Sequence, residues 1–129
     1  MTTAQINRYS KNTTPKLKIK AQNFFNAFIR ERDKHNFCIS CNNQKVEQAG
    51  HFYSAGHHNH LRFNEDNVHG QCLRCNYYLC GNLNKYRINL ETKIGKERLA
   101  KLDFLGAQKT AHKLDRFFLI EICEKYRKK

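Results

Sequence analysis

Between Lys16 and about Lys34, apolar residues recur at Leu17, Ala21, Phe24, Phe25 and Phe28. This three-to-four-residue spacing lines one face of a helix and leaves a basic face opposite. Residues 1–15 are polar, lack such a period and end at the only proline, Pro15, so they are read as a disordered basic tail. From Cys38 the pattern changes. Cys38-Ile-Ser-Cys41 followed by Asn42-Asn43 reads as a tight knuckle, Gln44–Phe52 as a short strand, Ser54–Asn59 as a loop containing Gly56, and Leu61-Arg62-Phe63 as a second strand. From Asn67 the chain is expected to enter a helix that carries Cys75, Asn76, Tyr77 and Tyr78 and stops near Gly81. Two further helices are expected over 84–94 and 96–105, broken at Gly95. A last helix follows Gly106, with apolar residues at Ala107, Ala111, Leu114, Phe118 and Ile122. The predicted class is α+β, a single domain over 16–129 with a helix at 16–35, a strand-containing core at 36–82 and C-terminal helices at 83–127.

At 129 residues the chain fits one domain, and nine Phe and six Tyr supply a modest core. The mean hydropathy of −0.82 argues against a large one. No stretch approaches the roughly 20 apolar residues of a membrane span, and residues 1–14 lack the apolar stretch of a secretory signal. A cytoplasmic protein is therefore expected, with no membrane partner. The net charge of +13 points to a polyanion. Residues 1–35 carry eight Lys/Arg against two acids and residues 82–129 carry thirteen against six, whereas residues 36–81 hold three of each. Flanks that grip phosphates around a near-neutral centre fit DNA binding.

Four of the six cysteines form two C-x-x-C pairs, Cys38/Cys41 and Cys72/Cys75. Each pair offers two thiolates from one turn, and two such turns complete a tetrahedral zinc site. Disulfides fit poorly with a chain lacking a secretory signal. A zinc with four thiolates has no open position for a substrate, so its role would be structural, a staple for a small core. Cys123 lies on an apolar helical stripe and is read as core, and Cys80 as a bystander.

Chemistry must come from between the pairs, where His51, His57, His58, His60 and His69 cluster. Histidine is both a proton acceptor and a metal ligand near neutral pH. Phosphodiester hydrolysis needs a base to activate water and a cation to offset charge on the phosphate. One histidine and one oxygen ligand on adjacent elements would supply both. For His57, His58 and His60 a plain loop role competes with this reading.

Cys38-x-x-Cys41, His51, Asn67 and Cys72-x-x-Cys75-Asn76 together resemble the HNH, or His-Me finger, nuclease pattern. Ala-Gly-His-Phe at 49–52, the run His60 to Cys72, and Cys-Asn…Gly-Asn-Leu…Tyr-Arg at 75–87 are similar to the phage NinG/Rap family of recombination endonucleases, from about Lys16 through Leu105. The resemblance implies a zinc-stabilised ββα-metal core flanked by helices. It further implies His51 as general base, Asn76 as amide-oxygen ligand of a catalytic Mg²⁺ or Mn²⁺, and Asn67 as the residue that fixes the loop and orients the base. HNH enzymes commonly carry Asp or His just before the base, as a second metal ligand, and this chain has Gly50. Either Asn76 is the sole protein ligand, or a loop residue such as His57 or His60 contributes. Arg62 is a candidate for holding the scissile phosphate.

The expected function is a metal-dependent DNA endonuclease acting on branched recombination intermediates such as Holliday junctions or D-loops, phage-encoded and working in the bacterial cytoplasm. Paired cuts would favour a homodimer, for which Phe117, Phe118, Ile120 and Ile122 offer apolar surface. Two other readings stay open: a non-catalytic zinc-ribbon module that binds nucleic acid, and an HNH nuclease with another DNA substrate.

Overall fold

The computed structural model describes residues 1–108 and 112–127. Two compact units are present, Met1–Phe28 with Lys113–Lys129, and Ile29–His112. Helix α2, Thr14–Asp33, begins in the first and ends in the second. Pro15 lies in its first turn, where a missing N–H leaves no bond unmade. Thr13 Oγ1 accepts from the Lys16 N–H at 3.4 Å. Leu17, Ala21, Phe25 and Ile29 are fully buried at a strict spacing of four, and Phe24 and Phe28 flank them half-buried. The next step of that stripe is Asp33, a charge in an apolar register.

In the first unit the segment expected to be a disordered tail carries helix α1, Thr3–Arg8. A reciprocal cap starts it: Thr2 Oγ1 accepts from Gln5 N–H and Gln5 Oε1 accepts from Thr2 N–H. Tyr9 is buried, and the carbonyls of Tyr9 and Asn12 accept from the Arg116 guanidinium. Polarity hid this segment, because it is held by caps and one aromatic ring rather than by an apolar stripe. The last helix also differs from expectation. It spans Arg116–Tyr126, not the stretch after Gly106, because Asp115 Oδ1 accepts from Phe118 N–H and sets the N-terminus there. Residues 112–115 are not helical, and Ala111 lies outside the described residues. Of the apolar surface expected for a dimer, Ile120 is fully buried and Phe118 and Ile122 are half-buried, which leaves Phe117 exposed.

The second unit is built on an antiparallel hairpin of β1, Gln48–His51, and β2, Val68–Gln71. Gln48 pairs with Gln71 and Gly50 with His69. The expected first strand is thus confined to its last residues, and the second lies at 68–71 rather than 61–63. Leu61 instead closes a single 3₁₀ turn, Asn59–Leu61. All four residues of β2 are buried, including His69 and Gln71, so the period-two alternation that betrays a strand is absent. After β2 comes a short π-helical turn, Arg74–Tyr78, in which Leu79 N–H reaches back five residues to Arg74 O at 2.8 Å.

Helices α3, Leu83–Ile94, and α4, Lys96–Ala107, follow and reverse at Gly95, whose φ of 88° suits glycine. Their apolar faces, Tyr86, Leu90, Ile94, Leu99 and Leu102, close over Ile39 and Leu61, with Phe52, Tyr53 and Leu105 packed against them. Asp33 ties α2 to this frame. Its carboxylate accepts from Arg32, from Lys93 Nζ at 2.9 Å and from the Gly70 N–H at 2.8 Å. Burial opposes its charge, but these donors outweigh it and hold the carboxyl well below the usual range.

Candidate functional site

The four cysteines of the two C-x-x-C pairs converge. All four Sγ atoms lie within 4.8 Å of one another, with Cys41 Sγ 3.9 Å from Cys72 Sγ. A tetrahedral zinc with Zn–S bonds of about 2.3 Å needs sulfurs about 3.8 Å apart, so the donor set fits. The knuckle turns on Asn42, with φ of 58°, and closes through Asn42 N–H to Cys38 O at 2.9 Å. Burial pushes the Cys72 and Cys75 thiols up, and the Cys75 N–H donating to Cys72 Sγ and Asn82 Nδ2 donating to Cys75 Sγ offset this only in part. Cys80 is exposed and Cys123 is buried in the first unit, so neither joins the cluster. Among the described residues this is the only group of three or more His, Cys, Asp or Glu side chains that could hold a metal.

His51 is the last residue of β1. Its Nε2 lies 2.9 Å from the Arg62 main-chain oxygen. A carbonyl can only accept, so Nε2 carries the proton and Nδ1 keeps its lone pair. Burial lowers the pKa of the ring, and the Arg62 carbonyl offsets this only in part. His51 is therefore neutral at physiological pH, an imidazole of fixed tautomer able to take a proton. It lines a cleft of about 320 Å³ with Phe52, Tyr53, Ser54, His58, Cys80 and Leu83.

Asn67 is fully buried and ties the 52–67 loop to itself. Its Oδ1 accepts from Tyr53 N–H at 2.8 Å, and its Nδ2 donates to Tyr53 O at 2.9 Å and Leu61 O at 3.1 Å. Because Leu61 adjoins Arg62, these bonds also set the carbonyl that holds His51. Asn76, on the π-helical turn, donates from Nδ2 to Gln48 Oε1 at 2.7 Å. Its Oδ1 thus faces Gly50, 3.0 Å from where a Cβ on that residue would sit. The Asn76 amide oxygen thus faces the strand position next to His51 in sequence. Tyr86, fully buried on α3, donates to the Gly50 carbonyl at 2.7 Å and fixes the strand there.

The family model described as Bacteriophage Lambda NinG protein matches residues 4–129. The chain belongs to the NinG family. Curated relatives named Protein ninG include that of Escherichia phage lambda, 44% identical over 86 residues, which are 65% of this chain and 42% of the relative. That of Salmonella phage P22 is 41% identical over 96 residues, 73% of this chain and 46% of the relative. The matched stretch thus covers less than half of each of these NinG proteins. No solved structure matches the chain. Among the described residues no helix is long and apolar enough to cross a membrane.

Within this NinG chain the remaining candidates fall unevenly. Arg62 offers its carbonyl to His51, while its Nε donates to Asn59 Oδ1 at 3.0 Å. His60 is drawn to the Leu105 carbonyl at 2.7 Å, and His57 is exposed in the 54–58 turn. Neither hydrogen-bonds to Asn76. His58, weighed from sequence against a plain loop role, lines the His51 cleft with a buried Nδ1 that lacks a partner. Gln71 escaped the sequence reading, and it reaches across to Gly50 on β1. Nothing in local spacing marks it, although it lies inside the long run 60–72 that carries the family resemblance.

Proposed function

We propose that this NinG-family chain is a metal-dependent DNA endonuclease with an HNH-like ββα centre, acting on branched recombination intermediates. Two observations support the reading: a tautomer-locked His51 at the end of β1, and an Asn76 amide oxygen that faces the strand residue just before it. Hairpin, zinc-binding knuckle and π-helical turn supply the ββα frame. Branched DNA as substrate rests on the sequence resemblance.

In this reading His51 Nδ1 takes a proton from water as the oxygen attacks phosphorus, and the imidazolium then shares its charge with the Arg62 carbonyl. Asn67 acts as a positioning residue through the loop that carries this carbonyl. A divalent cation at Asn76 Oδ1 would offset charge on the phosphate and the leaving oxygen, and hard amide oxygens suit Mg²⁺ or Mn²⁺. Arg62 anchors the base through its main chain, and a contact from its guanidinium to the scissile phosphate belongs to the same reading. The excess of cations in residues 1–35 and 82–129 supplies affinity for the backbone.

The decisive experiment compares wild type and His51→Ala on Holliday-junction and linear duplex DNA with Mg²⁺ or EDTA. Wild type should cut the junction in Mg²⁺ and not in EDTA, and His51→Ala should lose about 10²- to 10⁴-fold in rate with DNA affinity kept. Binding without cutting would favour a zinc module that only binds DNA. Equal cutting by the variant would remove His51 as the base, and preference for the linear duplex would redirect the substrate.

A further inference from the structure

The face of the hairpin that meets the π-helical turn holds an unsatisfied group. Gln71 is fully buried, and its Nε2 lies 2.8 Å from both the Gly81 carbonyl and Ser40 Oγ. The Gly81 carbonyl can only accept, so the amide cannot be turned over, and Oε1 is forced toward β1. There it is buried and has no hydrogen-bond partner. Such an orphan acceptor is costly to bury and calls for an electropositive partner. Oε1 lies 1.7 Å from the position a Cβ on Gly50 would take, and Asn76 Oδ1, oriented by its own bond to Gln48, lies 3.0 Å from the same point.

Two amide oxygens therefore converge where β1 has no side chain. A hard divalent cation takes such a set of oxygen donors. We propose that Gln71 Oε1 is the second protein ligand of the cation held by Asn76, taking the place of the side chain that Gly50 lacks. The proposal rests on the nuclease reading for the task of that cation. It accounts for the glycine: any side chain at 50 would displace the Gln71 carbamoyl. It also leaves the cation's protein ligands independent of His57 and His60. Two neutral oxygens bring no charge, so affinity in the absence of DNA is weak and a phosphate oxygen would strengthen it.

The test is a Mn²⁺ titration of the zinc-loaded full chain, followed by paramagnetic broadening of the Asn76 side-chain amide in nitrogen-15 NMR spectra. Gln71→Met keeps length and volume while removing the oxygen, and zinc content with the melting temperature verifies its fold. Its Mn²⁺ midpoint should rise by at least about tenfold, since even outer partners of metal ligands are worth that much. An unchanged midpoint in folded Gln71→Met overturns the proposal. Should that variant fail to fold, Gly50→Asp combined with Gln71→Ala moves the oxygen ligand onto β1. Recovery of a wild-type midpoint or a lower one supports the proposal, and loss of binding refutes it. The titration needs neither DNA nor turnover. A chain that binds Mn²⁺ through Gln71 yet never cuts DNA would sink the nuclease reading alone. A chain that cuts through His51 while Gln71→Met binds Mn²⁺ normally would sink this proposal alone.

Discussion

In Gly50→Ala the new Cβ would lie 1.7 Å from Gln71 Oε1, 2.6 Å from Gln71 Cδ and 3.0 Å from Asn76 Oδ1. Side-chain carbons do not approach oxygen that closely, so the Gln71 carbamoyl must retreat by more than about an ångström, beyond what dense packing absorbs without strain. It has little room to do so, because Gln71 is fully buried and anchored at 2.8 Å to both Ser40 Oγ and the Gly81 carbonyl. Breaking those two bonds costs about 0.5–1.5 kcal/mol each, and overpacking adds about 1–3 kcal/mol. A loss near 4 kcal/mol is expected. Urea unfolding of the zinc-loaded protein would show it as a lower midpoint with an unchanged slope. The approaches under 3.0 Å are all to Gln71, so most of the effect should vanish with it. In a Gln71→Ala background, Gly50→Ala should cost less than about 1 kcal/mol, a coupling of several kcal/mol between the two sites. A Gly50→Ala protein within about 0.5 kcal/mol of wild type, or an equal cost with and without Gln71, would refute the steric argument.

Asp33→Ala should destabilise the chain by about 3 kcal/mol, the low end for a broken buried pair, because Arg32 and Lys93, 26% and 31% exposed, regain some water. Urea unfolding checks this, and a loss under about 1 kcal/mol would count against it. Acid should weaken the fold before carboxylates titrate. Burial, with Lys93 and Arg32 nearby, holds the His69 pKa down at about 3 from 6.5. The unfolded chain therefore takes a proton that the folded one refuses, and stability falls as pH drops from about 6.5 toward 3, on the order of 1 kcal/mol per unit. His51, also lowered, acts in the same direction, and Asp33, held low when folded, adds its loss only below about pH 4. Unfolding midpoints that stay level between pH 7 and pH 5 would contradict this. Cys72→Ala should abolish stoichiometric zinc and unfold the second unit, as chelation should in wild type. Metal analysis with circular dichroism would show it, and retained zinc at a one-to-one ratio would dismiss the four-cysteine site.

The sequence by itself determined the features that rest on local spacing. Each C-x-x-C pair specifies a turn that brings its own two sulfurs together, and the two pairs converge on one four-cysteine cluster that could hold a metal. The spacing of Leu17, Ala21, Phe24, Phe25 and Phe28 specifies α2, and Gly95 its own turn, because helix period and a positive φ are properties of a few adjacent residues. The tertiary structure decided what depends on partners far along the chain. β2 was invisible because a strand buried on both faces shows no alternation, and the hydrogen-bond partners of its polar residues His69 and Gln71 come from distant segments of the chain. The tautomer of His51 is set by Arg62, eleven residues on, and that carbonyl by a loop that Asn67 folds. Gly50, read from sequence as a missing ligand, turns out to be where Gln71 and Asn76 meet. Spacing can nominate such residues, but only packing decides which oxygen faces which space.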